Sequence, residues 1–89
     1  MSTLNRKSKT ARILHLLAMG HTLNRFEAER VGDHTLPQTI DRLQRRYGIA
    51  VARQDEVVKG WCGHETRVAR YWLEASAREL ALKLLSKAN

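Results

Sequence analysis

The chain has little with which to staple itself together. Of its 89 residues one is cysteine and one is proline, and aromatic side chains make up 6%. A single thiol, Cys62, excludes an internal disulfide and fits a reducing compartment. No internal repeat and no low-complexity segment interrupts the chain, so one small domain with a modest core is expected. No apolar run approaches the length needed to cross a membrane, and no membrane partner is expected. Acidic side chains are absent from the first 26 residues. This basic start, followed by Ile13 to Met19, faintly resembles a targeting segment. The apolar run is too short for a secretory signal and is interrupted by His15. Removal as a mitochondrial presequence would take a core helix from a short chain. A cytoplasmic protein is therefore expected.

Catalytic signatures are missing as well. There is no nucleophile beside a base, no glycine-rich phosphate loop and no carboxylate pair at helical spacing on a concave face, so neither an enzyme nor a small-molecule ligand or cofactor is expected. Cys62 and His64, with His21 and His34 far off in sequence, do not make the two close pairs that a structural zinc site needs, so no metal is expected.

What the chain has is positive charge. Sixteen Lys and Arg against nine Asp and Glu give a net charge of +7 and an isoelectric point near 10.3. A balance of that kind in so small a protein points to a polyanion, most commonly nucleic acid.

The periodicity predicts helices first. Ser8 is a candidate N-cap for a helix ending near Met19 with Gly20 as its stop, and Ile13, Leu14 and Leu17 form its inward stripe, with Leu16 partly off it. His21 to Leu23 can pair as a short edge strand. Asn24 and Glu27 form a capping box for a second helix with apolar contacts at Phe26, Ala28 and Val31. Gly32 permits a sharp turn. Thr35 with Gln38 repeats the capping pattern for a third helix, Pro37 occupies its first turn, and Gly48 stops it. Leu36, Ile40, Leu43 and Tyr47 share one face of that helix. Gln38, Asp41, Arg42 and Arg45 point away from it, with Thr39 and Arg46 on the flanks. Such a pair of helices has the layout of a helix-turn-helix, whose second helix fits the DNA major groove.

After Gly48 the period changes. Residues 49–53 and 67–73, rich in β-branched and aromatic side chains, predict a hairpin with a long tip over residues 54–66. A last helix is predicted from a capping box at Ser76 and Glu79, with Ala77, Leu80, Ala81 and Leu84 as one stripe. Leu82 and Leu85 widen that stripe. They serve either a homodimer through the C-terminal helix or packing on the first helix.

Helix, helix, turn, helix, hairpin is an order that resembles the winged helix-turn-helix family, and in detail the small helix-turn-helix proteins of phages, prophages and mobile elements. The likeness is carried by Lys9-Thr10-Ala11-Arg12-Ile13-Leu14, by Leu23-Asn24 with Glu27-Ala28, by Ile40 and Leu43, and by Tyr71-Trp72-Leu73. It covers about residues 8–73, with 1–7 as a free basic arm and 74–89 as the C-terminal helix. The resemblance implies an α+β fold of three helices, a β-hairpin wing and a C-terminal helix. It further implies sequence-specific binding to double-stranded DNA, by a transcriptional regulator or an excisionase-like factor. Recognition positions implied in this way are Thr35, Gln38, Thr39, Asp41, Arg42, Arg45 and Arg46. Lys59 and Arg67 are the implied wing cations. Asp55, Glu56 and Glu65 depart from the pattern, since carboxylates there oppose phosphate.

The residues themselves support part of this. Arg can donate two hydrogen bonds to guanine and Gln can pair with adenine, so Gln38, Arg42 and Arg45 carry suitable chemistry. Asp41 can accept from cytosine, although an i,i+4 pair with Arg45 is preferred. Arg6, Lys7, Lys9 and Arg12 cluster at the positive end of a helix dipole, where they either hold phosphate or only solubilise the chain. Trp61 either stacks on a base or lies over the hairpin, the commoner role. The alternative to DNA binding is a winged-helix module that binds protein, which acidic residues in the wing would suit.

Overall fold

A computed structural model describes residues 4, 5, 7–60 and 63–88. The element order is α1 (Lys9–Ala18), α2 (Arg25–Arg30), α3 (Leu36–Tyr47), β1 (Ala52–Lys59), β2 (Glu65–Trp72) and α4 (Ala75–Ser86). The fold is α+β, with four helices and one antiparallel hairpin.

Local chemistry sets the helix ends. The Ser8 hydroxyl accepts from the Ala11 N–H at 3.1 Å and opens α1. At the other end Gly20 takes φ +94°, its N–H bonds Leu17 O, and the His21 N–H bonds Leu16 O. This pair of bonds closes carbonyls that the helix leaves open. The capping box of α2 forms as expected, with Asn24 Oδ1 accepting from the Glu27 N–H and Glu27 Oε1 from the Asn24 N–H, both at 2.9 Å. Gly32 then repeats the role of Gly20, again at φ +94°.

The start of α3 differs from expectation. Thr35 makes no side-chain cap, and no box with Gln38 forms. Asp33 takes over: its Oδ1 accepts from the Thr35 N–H at 2.9 Å and from the Thr35 hydroxyl at 3.3 Å. An aspartate two residues upstream reaches the same amide as a turn and leaves the Thr35 side chain to its neighbours.

One apolar cluster holds the helices and the hairpin together. Ile13, Leu14, Leu17, Leu36, Ile40, Leu43, Ile49, Tyr71 and Leu73 are its large members. Leu16 and Tyr47 pack half-buried against it. The short link at Leu23 pairs as predicted, as a single antiparallel bridge whose Leu23 and Tyr71 exchange N–H···O bonds of 2.9 and 2.8 Å. Leu23 lies beside β2, and β1 is the outer strand.

Four expectations are corrected here. The free arm over residues 1–7 does not extend to Leu4, which is buried in the core. The hairpin strands run further toward the tip than predicted: β1 starts at Ala52 and the connection spans only residues 60–64. Ile49 precedes the strand because it is buried in the core, its N–H bonded to Leu43 O as the chain leaves α3. The Ser76 capping box does not form, because α4 begins one residue earlier, with Glu74 at its N-cap position and no side-chain cap. Within α4, Ala77 and Ala81 are buried while Leu80 is exposed, and Leu84 and Leu85 are half-buried against the core. Leu80 and Leu82 flank the Ala81 stripe on opposite edges, about 200° apart around the helix. The pair expected to meet a second copy, Leu82 and Leu85, is thus divided between solvent and core. No described helix is long and apolar enough to cross a membrane.

Gly32 and Gly48 separate two effects. A Cβ on Gly48, at φ +69°, meets nothing, whereas a Cβ on Gly32 would stand 2.9 Å from Arg12 Nη1. That nitrogen donates to Val31 O at 2.9 Å and so closes the α2 C-terminus. Gly48→Ala should lower stability by about 1–2 kcal/mol, the backbone effect alone. Gly32→Ala should lose about 1 kcal/mol more, for the displaced hydrogen bond. Urea unfolding of both, repeated in an Arg12→Ala background, checks this; an excess at Gly32 that persists without Arg12 refutes it.

Candidate nucleic-acid interface

The outer face of α3 follows from its period. With Leu36, Ile40 and Leu43 buried, Gln38, Asp41, Arg42, Arg45 and Arg46 are exposed. These five and Pro37 line one open depression. Arg45 Nε bonds Asp41 Oδ1 at 2.8 Å, the i,i+4 pair preferred from the sequence. Arg42 Nη1 reaches Thr10 Oγ1 at 3.3 Å and ties the edge of this face to α1.

Pro37 also borders a second depression, lined by Arg25, Arg53, Arg67, Val68, Ala69 and Tyr71. The two meet at that proline, which carries no charge and projects little. Arg53 and Arg67 are brought there by the register, Arg53 opposite Tyr71 and Arg67 opposite Val57. Residues two apart on each strand share a face. Arg53 lies with its guanidinium carbon 6.0 Å from the centre of the Tyr71 ring, and Arg25 lies 4.9 Å from that of Phe26. Six exposed arginines of α3, α2 and the hairpin therefore line the two depressions, whose one lining carboxylate, Asp41, is paired with Arg45, while Asp55 lies beside Arg53 on the same face of β1.

Other predicted contacts fall elsewhere. Thr39 is 2% exposed, with its hydroxyl donating to Thr35 O. It lies about 60° from Leu36 around α3, on the side of the buried Asp33, so it is a packing residue and not a reader. Thr35 is exposed, but its hydroxyl is held between Asp33 and Lys9. Lys9 Nζ lies 3.2 Å from Thr35 Oγ1 and 3.4 Å from Asp33 Oδ1. That lysine is a tie between α1 and the α2–α3 turn. Arg12, bonded to Val31 O, is another. Lys7 is exposed, and so is Lys59 at the end of β1. Arg6, Trp61 and Cys62 lie outside the described residues.

Arg25 and Arg53 were not anticipated. Arg25 follows the Asn24 cap directly, where a first-turn side chain can project past the helix. Arg53 was legible only with the strand register, which an assumed loop from residue 54 conceals.

One acidic residue of the hairpin, Glu56, is oriented by a network that also fixes the position of the hairpin. Arg70 Nε donates to Glu56 Oε1 at 2.9 Å, and Arg70 Nη1 donates to Glu27 Oε1 and to Thr22 Oγ1, both at 2.8 Å. Asn24 Nδ2 donates to Glu56 Oε2 at 2.9 Å. Glu56 is in this way turned toward α2, away from the arginine surface. Asp55 lies 3.5 Å from Arg53, an exposed pair of small energetic weight. The hydrogen bonds from Arg70 and then Asn24 hold the Glu56 carboxyl below its ordinary value of 4.5, and those from Glu56 and Glu27 push Arg70 up. Asp33 is fully buried. Burial raises its pKa, but bonds from the Thr39 side chain, the Thr35 N–H and Lys9 outweigh this and leave it below 3.8. The Thr39 hydroxyl donates to Thr35 O, and Asp33 Oδ2 is buried without a hydrogen-bond partner among the described residues.

A carboxylate with a depressed native pKa stabilises the fold fully above its unfolded value, and that stability is lost as pH falls toward the native one. Glu56 should therefore weaken the attachment of the hairpin as pH drops below about 4.5. Wild type should lose urea resistance between about pH 5 and pH 3, and Glu56→Gln should lose less across that window. Parallel curves for the two proteins would remove Glu56 as a contributor.

Compared with protein families, curated proteins and solved structures, the chain finds no match.

Proposed function

We propose that this is a small sequence-specific double-stranded-DNA-binding protein of winged helix-turn-helix architecture, acting as a transcriptional regulator or excisionase-like factor of a phage or mobile element. In this assignment α3 enters the major groove and the β1–β2 hairpin is the wing. The observation that carries it is the pair of adjoining depressions at Pro37, bordered by Arg25, Arg53 and Arg67 on one side and by Gln38, Arg42, Arg45 and Arg46 on the other. Spread cations with planar donor forks suit a surface of phosphates and base edges. A hairpin whose Glu56 is drawn off toward Arg70 removes part of the repulsion that its acidic residues imply.

Specificity and affinity should divide by element. Arg45 exchanges its exposed bond with Asp41 for a base at little loss, since such surface pairs are worth about 0–1 kcal/mol. Arg45→Ala or Gln38→Ala should reduce binding to the preferred duplex by about 1–3 kcal/mol and relax preference at one position. Arg67→Ala or Lys59→Ala should weaken matched and scrambled duplexes alike. If about four to six phosphates are contacted, log K should fall with log salt at a slope of roughly −4 to −5, shallower by about one unit for each phosphate contact removed. Fluorescence anisotropy on both duplexes over a salt series tests this. A flat salt response defeats DNA binding, and an equal small loss on both duplexes for Arg45→Ala defeats α3 as the reader and favours the protein-binding module.

A further inference from the structure

A groove between α1 and α4 remains unused by this function. Its lining residues are Lys7, Ser8, Ala11, Arg12 and His15 on the α1 side and Leu85 and Ser86 on the α4 side. It shares no residue with the two arginine-bordered depressions. We propose that it docks a short amphipathic helix with an acidic edge, supplied by a partner protein.

Three observations favour that occupant. First, the lining pairs apolar with cationic side chains: Ala11 and Leu85 stand with Lys7 and Arg12, and no carboxylate lines the groove. Second, the two helices run antiparallel, so the groove continues along both. Leu85 lies by Ala11 at one end, and Arg78 stands 3.1 Å from the Cβ position of Gly20 at the other. Third, the continuation is where large apolar side chains are exposed. Met19 follows His15 by one turn on α1 and is 61% exposed; Leu82 precedes Ser86 by one turn on α4 and is 48% exposed. An α1 of ten residues spans about 15 Å, long enough to seat two to three turns of a partner helix. Methionine at such a surface adapts to the side chains it meets. A second copy docked by the same face would add its own Lys7, Arg12 and Arg78 to the interface, where like charges repel. Duplex DNA offers no side chains to fill the floor.

The test uses the full-length protein, isotope-labelled, with a synthetic amphipathic peptide of about fourteen residues carrying Leu at helical spacing and Glu on its flanks. A control peptide keeps the Leu residues and replaces each Glu with Lys. We expect amide shifts at Ala11, His15, Met19, Leu82 and Leu85, and binding at least about tenfold tighter for the Glu peptide. His15→Glu and Leu82→Glu should each weaken the Glu peptide by about tenfold while melting temperature and duplex binding stay unchanged. Absence of shifts, equal affinity for both peptides, or shifts confined to α3 would overturn the proposal. So would a duplex that shifts these amides when the Glu peptide does not. Because Arg45, Gln38 and Arg67 are untouched, failure here leaves the DNA-binding proposal standing, and the reverse also holds.

Discussion

The position of the hairpin depends on one guanidinium. Arg70 on β2 stands between two carboxylates, Glu27 of α2 and Glu56 of β1, and bonds Thr22 as well. A two-stranded ribbon has little core of its own and is marginal alone. This one is attached at its base by Tyr71 and Leu73 in the core and by the Leu23 bridge, and beyond that by Arg70. A planar donor fork with paired acceptors fixes orientation as well as distance. The direction in which Arg53 and Arg67 project relative to α3 follows from it. Glu27 serves twice: the oxygen that closes the capping box of α2 also receives Arg70, so the start of that helix and the set of the hairpin are mechanically one unit.

The cations divide by the same logic. Lys9, Arg12 and Arg70 are bound to a buried aspartate, a helix-end carbonyl and a carboxylate pair, each joining elements distant in sequence. Arg25, Arg45, Arg46, Arg53 and Arg67 remain on the surface. A net charge alone counts both groups equally. Only the second group is exposed on the outer surface of α2, α3 and the hairpin.

Much of the fold was legible because it rests on local signals. Apolar spacing in α1 and α3, glycines at positive φ and the Asn24–Glu27 box each act within a few residues. What escaped was set by partners far along the chain. Thr39 has the composition of a surface residue and is buried by its place beside Asp33. Asp33, one residue past the Gly32 turn, accepts from the Thr35 N–H where α3 begins, with Lys9 as its counter-ion. The β1 segment Ala52–Lys59 carries no apolar alternation, because its faces meet solvent and Arg70 in place of a core, so nothing in its period marks it as a strand. Of the candidate site, Gln38, Asp41, Arg42, Arg45 and Arg46 followed from helical geometry. Arg25 and Arg53 required the register of the hairpin and the place where Pro37 lets two surfaces join.

The sheet also has consequences for how copies of this protein tolerate one another. With Leu23 beside β2, the far edge of β1 has no strand neighbour among the described residues, and every second residue from Arg53 to Lys59 turns its backbone N–H and C=O outward. An unpaired edge of that length is a template for another chain. Along it, however, stand Arg53, Asp55, Glu56 and Lys59, an ordering in which the sign of charge reverses twice. A second β1 laid alongside in parallel register meets its like at all four charged positions, and a shifted or reversed strand must still desolvate ions to pair. The strand that carries least of the core thus blunts its own open edge with charged side chains, with no covering element among the described residues.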